Sequence, residues 1–333
     1  MNTAVPLLVL LSLANSGLGQ NLLSLATTYT HTCDASAAVA LDADRFVVAS
    51  DEDNVLRIYC RSQPGPPVST LDVSSFLRLI KKGAEADLEG AARVGDRIYW
   101  ISSHGLPASG KASPDRHRLF ATDIRETKSE PALVPVGQPY VTLVRDLIRE
   151  ARLSRFNLAR AAATDPRKAG TLDIEGLATT PQGHLLIGFR TPIPQGKALV
   201  IPLLNPASVV AGKSPTFGEA ILLDLDGLGI RGFDFHDGHY WIIAGHHDNK
   251  TPARLYRWAG GAAVPEWQRE VNLAGFNPEA LFFPEDTAAG TFFIISDDGG
   301  VSIGGSTCKD LKDANLKRFR MFPINLPASS AGK

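Results

Sequence analysis

One pattern recurs five times along this 333-residue chain, and it constrains the fold more than any other feature. A short apolar strand opens on an acidic or small residue. A turn, a strongly apolar strand and a polar loop follow. The second copy reads Asp87-Leu88-Glu89-Gly90-Ala91-Ala92, a turn at Gly95-Asp96, a strand Arg97 to Ser102 and a loop at Ser103-His104-Gly105. Equivalent copies begin at Asp173-Ile174-Glu175-Gly176, Ile230-Arg231-Gly232 and Asn277-Pro278-Glu279-Ala280, with a weaker first copy at Ser36 to Leu41. From Ser36 to Glu279 the copies lie about 61 residues apart, and each step holds two further strand-like runs. Four short strands per repeat make the blade of an all-β propeller. Clean period-2 alternation is missing, as inner strands covered on both faces require.

The fifth copy lacks a strand. Asn21 to Thr30 has no partner of its own, so it is expected to close the ring non-covalently and remove the open edge. The count is five blades, with six as the alternative. The step from Glu89 to Glu175 is longer than the others, and its excess at 139–170 carries Val144, Leu147, Ile148 and Ala151 at helical spacing. This helical insertion leaves from a connection on the face of the polar loops, where it could act as a lid. Its arginines, Arg145, Arg149, Arg152, Arg155 and Arg160, read best as a solvated face partly balanced by Asp146 and Glu150.

Residues 1–19 read as a secretory signal peptide, apolar from Val5 to Ala14 and ending in small residues, although no Lys or Arg precedes the apolar run. Residues 20–333 then form a single propeller domain, secreted or periplasmic. The 30 Gly and 22 Pro fit its many turns. A net charge of −1 argues against a nucleic-acid partner. No internal apolar run is long enough to span a membrane, and a monomer is expected.

Export permits disulfides. In a blade the connection into the innermost strand and the loop between the second and third strands share a face. Cys33 lies in the former before the first blade and Cys308 in the latter within the fifth, so a Cys33–Cys308 bridge is expected to latch the ring and leave Cys60 outside it; three independent thiols are the alternative.

The same topology gathers chemistry at one mouth. Glu89, Glu175, Arg231 and Glu279 open the innermost strands there. The loops add Asp51, Glu52, His104, Arg190, His246, His247, Asp248, Asp297 and Asp298. Glutamates at equivalent positions around one axis repel, so they require raised pKa values or a cation. A hard divalent ion such as Ca²⁺ would take Glu89, Glu175, Glu279 and Asp297 as ligands. His104 with the three glutamates would serve acid–base chemistry, and Arg190, Arg231, His246, His247 and Asp51 would hold a small anionic ligand. Bracing of strand starts by the same carboxylates is the structural alternative.

Asp87-Leu88-Glu89-Gly90, Asp173-Ile174-Glu175-Gly176 and Asn277-Pro278-Glu279-Ala280, with the Asp51-Glu52-Asp53-Asn54 loop and Ser102-Ser103-His104, resemble the motifs of a bacterial domain-of-unknown-function family, number 3616. The resemblance implies a secreted propeller similar to the phytase-like group and no established activity. Arg231 departs from the acidic pattern, against a fully symmetric metal cage. Two functions follow: metal-assisted hydrolysis of a phosphate or other ester, or non-catalytic binding of a ligand or protein at this mouth.

Overall fold

A computed structural model describes residues 25–125, 131–248, 251–285 and 291–325. The expected signal peptide lies outside them. Five four-stranded antiparallel sheets radiate from one axis. Blade I is β2 (Ala35–Ala40), β3 (Arg45–Ser50), β4 (Val55–Cys60) and β5 (Ser69–Asp72). Blade II is β6 (Leu88–Val94), β7 (Arg97–Ser102), β8 (Leu119–Arg125) and β9 (Ala132–Tyr140). Blade III is β10 (Asp173–Thr179), β11 (Leu185–Thr191), β12 (Ala198–Leu203) and β13 (Ile221–Leu223). Blade IV is β14 (Gly229–His236), β15 (His239–Gly245), β16 (Arg254–Trp258) and β17 (Glu266–Trp267). In blade V the order from the axis outward is β18 (Pro278–Phe282), β19 (Thr291–Ser296), β22 (Arg318–Asn325) and then β1 (Thr27–Thr30) from the other end of the chain. The innermost strands touch in cyclic order, β2 on β6, β6 on β10, β10 on β14, β14 on β18 and β18 on β2. The ring therefore has five blades, closed by the amino-terminal strand.

Each interface between neighbouring blades is one apolar cluster. Along β3, Val47 and Ala49 face blade II while Phe46 and Val48 face blade V. Both faces of the strand are buried, so its sequence is apolar throughout and shows no alternation. At the closure, Tyr29 from β1 stacks on Phe319 and Phe46 on Phe282, and the Tyr59 hydroxyl donates to the Thr30 carbonyl at 2.7 Å.

Cys33 and Cys308 are joined, with Cα atoms 5.9 Å apart across 275 residues of sequence, and Cys60 stands outside the bridge. Cys308 opens a helical turn just after a small hairpin, β20 (Ser302–Ile303) and β21 (Ser306–Thr307), that the repeat pattern did not reveal. A disulfide fits an oxidising, extracellular or periplasmic setting. Among the described residues no helix is long and apolar enough to cross a membrane.

The insertion is helical, with helices at Leu143–Arg149 and Leu158–Ala162 around a 3₁₀ turn at Ala151–Phe156. It does not lie over the mouth as a lid. Leu143, Val144, Leu147, Leu153, Phe156, Leu158 and Ala161 join the apolar cluster between blades II and III, so the insertion is fastened to their flank. Ile148 faces outward, and Leu143 takes the buried position instead. Arg152 reaches Glu150, Glu219 and the Phe217 carbonyl along the surface.

Candidate functional site at the axial mouth

The pairing register explains why one residue per blade faces the mouth. Every innermost strand is bulged at its first turn: the register slips between Ala35 and Ala37, Leu88 and Gly90, Ile174 and Gly176, Ile230 and Gly232, and Pro278 and Ala280. The extra residues are Ser36, Glu89, Glu175, Arg231 and Glu279. A bulge frees one residue from the ladder and re-aims its side chain, here at the axis. The residue after each bulge is small because the next blade is already there. A Cβ on Gly176 would lie 2.5 Å from Ile230 Cγ2, and one on Gly232 would lie 2.7 Å from the Glu279 carbonyl oxygen. Gly176→Val is expected to wedge blades III and IV apart and cost about 1–3 kcal/mol; an unshifted urea midpoint would contradict this packing role.

Two residues before each bulge stand Asp34, Asp87, Asp173, Gly229 and Asn277. The sequence signal for this second ring is the Asp-x-Glu-Gly pattern at 87–90 and 173–176, whose aspartates are not among the expected site residues. Together the rings divide the mouth into two electrostatic halves.

On the side of blades III to V the carboxylates are matched. Glu175 accepts from Arg190 and from Arg231 Nε at 3.3 Å. Arg231 also donates to Glu279 and, at 2.6 Å, to Asn277 Oδ1. Asn277 in turn donates to Asp297 Oδ2 at 3.0 Å. Arg231, Glu175 and Glu279 are all buried. Arg190 is held further by the main-chain carbonyls of His246 and His247, at 3.2 and 3.1 Å. These histidines thus reach the site through their backbone, while the His246 ring bonds Asp248 at 2.6 Å. Arg190 and Arg231 are bound to glutamates, so the structure gives them a neutralising role.

On the side of blades I and II the carboxylates are crowded. Oxygens of Asp51, Asp87 and Glu89 lie within 4.8 Å of one another. Asp87 bonds Ser103 and Arg116, the latter at 2.9 Å. Asp51 Oδ1 is buried and accepts no hydrogen bond. Among the described residues no Lys or Arg is bonded to Asp51 or Glu89. Burial first, and then neighbouring carboxylates, raise Asp51 and Glu89 well above the usual range. Burial lifts Asp87 to about 6 against the pull of Arg116, and lifts Asp34 to about 7 with Asp297 and Glu52 adding to it. Asp297 and Glu279 are also raised, by burial. Among the described residues, Asp51, Asp87 and Glu89 form the group of carboxylates close enough to share a cation; Glu175 and Glu279, expected beside Glu89 as ligands, face arginines instead.

The structure does not bring His104 to this mouth. It is buried at a separate cavity on the flank of blade II, its ring 5.4 Å from that of His117. His117 lines the same cavity.

Residues 112–275 match the model of the family described as "Protein of unknown function (DUF3616)". The match bears out the resemblance to that family. It carries no activity to this chain and leaves the phytase-like grouping without support. No curated protein matches the chain in sequence. Among solved structures it is similar to the GH43_1 enzyme from Xanthomonas citri complexed with xylose, at 12% identity and TM-score 0.47, over 92% of this chain and 93% of that one. It is also similar to Myxococcus xanthus glutaminyl cyclase, at 11% identity and TM-score 0.44, over 91% and 97%. At these values the likenesses bear on neither substrate nor mechanism.

Proposed function

We propose that this secreted propeller holds a divalent cation such as Ca²⁺ at its mouth and hydrolyses phosphate or other esters there. The observation that carries the reading is the group of three carboxylates, Asp51, Asp87 and Glu89, in which a buried Asp51 oxygen has no donor. An all-oxygen set suits a hard cation, with carbonyls and water completing six to eight ligands. When bound, the ion would polarise the ester and lower the pKa of a water. The chain's own part is to position Asp87 and Glu89 at the bulged start of β6 and Asp51 in the loop after β3, where its N–H donates to Ser36 Oγ at 3.1 Å, and to keep Glu175 and Glu279 neutralised by Arg190 and Arg231 so that they do not compete. The second reading, a non-catalytic binding propeller, is favoured by one observation: both arginines are already bound to carboxylates, so they offer little grip to an anionic substrate.

Metal analysis and titration calorimetry with Ca²⁺, Mg²⁺ and Mn²⁺ should show one divalent ion per chain, with Asp51→Asn and Glu89→Gln each weakening binding at least tenfold. A screen with p-nitrophenyl phosphate, bis-p-nitrophenyl phosphate and p-nitrophenyl acetate then separates the readings. Turnover lost in the same variants supports hydrolysis; metal binding without turnover supports the binding reading; no metal and no turnover defeats the cation site.

Protonation gives an independent check. Raised folded-state pKa values mean that the native protein binds more protons than the unfolded chain between the unfolded carboxylate value near 4 and the folded values of about 6 for Asp87 and about 7 for Asp34. Stability without the cation is therefore expected to fall as pH rises through that window. Saturating Ca²⁺, which takes the place of the proton on Asp87, should flatten the slope. Melting curves from pH 4 to 8 with chelator or Ca²⁺ would reveal it, and identical slopes would argue against binding here.

A further inference from the structure

The cavity on the flank of blade II has about 720 Å³ of space, within the range of small-molecule sites. It lies between the loop after β7, the segment Ala112 to Arg118, and the start of the insertion. Its walls are largely apolar, from Ile80, Leu106, Pro114, Pro139, Val141 and Ala162. Ile80 and Val141 stand 77% and 46% exposed at its rim, although both are large apolar side chains. Its charged lining is of one sign only: Arg78 and Arg118, with no Asp or Glu. Arg118 is committed to the carbonyls of Leu77, Pro114 and His117 and to Asp115. Arg78 is exposed, and among the described residues no carboxylate is bonded to its guanidinium.

His104 supplies the second independent observation. It is 2% exposed, and its Nδ1 lies 2.7 Å from the Ser102 carbonyl oxygen. A carbonyl only accepts, so Nδ1 carries the proton and Nε2 is left as an acceptor. That Nε2 is buried and has no partner. Burial and the nearby His117 drive the ring's pKa down to about 3, so it stays neutral and Nε2 stays an acceptor at any physiological pH. The backbone at His104 also has φ +56°, a left-handed conformation that is uncommon outside glycine and is found at sites where the surrounding structure imposes it. A buried acceptor without a donor is costly, and a ligand hydroxyl would satisfy it.

We propose that this flank cavity binds a small amphipathic carboxylate with a hydroxyl on its apolar body, the carboxylate pairing with Arg78 and the hydroxyl donating to His104 Nε2. The site is separate from the axial mouth and does not depend on the cation. Calorimetry in the presence of chelator, with 4-hydroxyphenylacetate as probe and phenylacetate and 4-hydroxyphenethyl alcohol as its two single-group deletions, tests each contact. The full probe should bind saturably and about tenfold more tightly than either deletion, the worth of one charge-assisted or buried hydrogen bond. Arg78→Gln should remove the advantage over the neutral alcohol. His104→Asn, which tolerates the positive φ, should remove the advantage over phenylacetate. Ala112→Trp, at an exposed lining position that does not endanger the fold, should abolish binding. Absence of saturable binding by all three probes, or binding indifferent to Arg78→Gln and Ala112→Trp, would overturn the proposal.

Discussion

Replacing Cys33 and Cys308 together by alanine is expected to lower stability by about 5 kcal/mol, the upper end of what a cross-link gives, because the bridge closes a loop of 275 residues. The effect is concentrated at one place in the fold. β1 is the only part of blade V that comes from the other end of the chain, and Cys33 follows it directly. The disulfide therefore fastens the strand that closes the ring. Without it, β1 is held by its ladder to β22, the Tyr29 stack and the Tyr59 hydroxyl. Denaturant midpoints of the variant and of reduced wild type should fall together. Hydrogen exchange should rise first in β1 and β22. A midpoint unmoved by reduction would mean that the apolar closure alone holds the ring.

Arg231→Met is the second large effect. It leaves Glu175 and Glu279 buried, with Glu279 stripped of its ion-pair partner, and breaking a buried pair on one side costs about 3–5 kcal/mol. The sign with pH distinguishes this from simple misfit. Without the Arg231 guanidinium that opposes its burial, the Glu279 carboxyl should be raised further, so the variant's deficit against wild type should be largest at neutral pH and shrink as pH falls toward 4, where that carboxyl takes up a proton. A deficit that is constant with pH would assign the loss to packing of the arginine's stem. Double replacement of Arg231 and Glu279 by apolar residues, which leaves Glu175 paired with Arg190, should recover part of the loss, since buried ion pairs are replaceable by well-packed apolar groups.

The repeat length, the run of apolar strands and the missing fifth-blade strand carried most of the architecture, and they did so for a local reason. A blade is one meander, and its strands and turns are set by contiguous sequence. The same arithmetic carried the Cys33–Cys308 pairing, because blade topology fixes which loops share a face. The mouth was legible as a set of residues and illegible as a site. Glu89, Glu175 and Glu279 occupy equivalent sequence positions, yet Glu89 stands with Asp51 and Asp87 while the other two stand with arginines. Equivalent positions in a ring acquire their chemistry from the neighbouring blade, which the repeat itself does not encode.

The insertion and His104 show the same limit. Helical spacing between 139 and 170 predicted helices, but which surface they cover depends on the apolar flank of blades II and III. His104 lies in a loop of the expected face, yet its side chain lines a flank cavity instead. Sequence alone determined the blade and pointed to five copies, the closing strand and the latch, because each follows from local periodicity or from topology. Tertiary structure alone decided which carboxylates are neutralised, which are crowded together, and that a second, apolar and basic cavity exists, because burial and pairing are properties of what packs alongside.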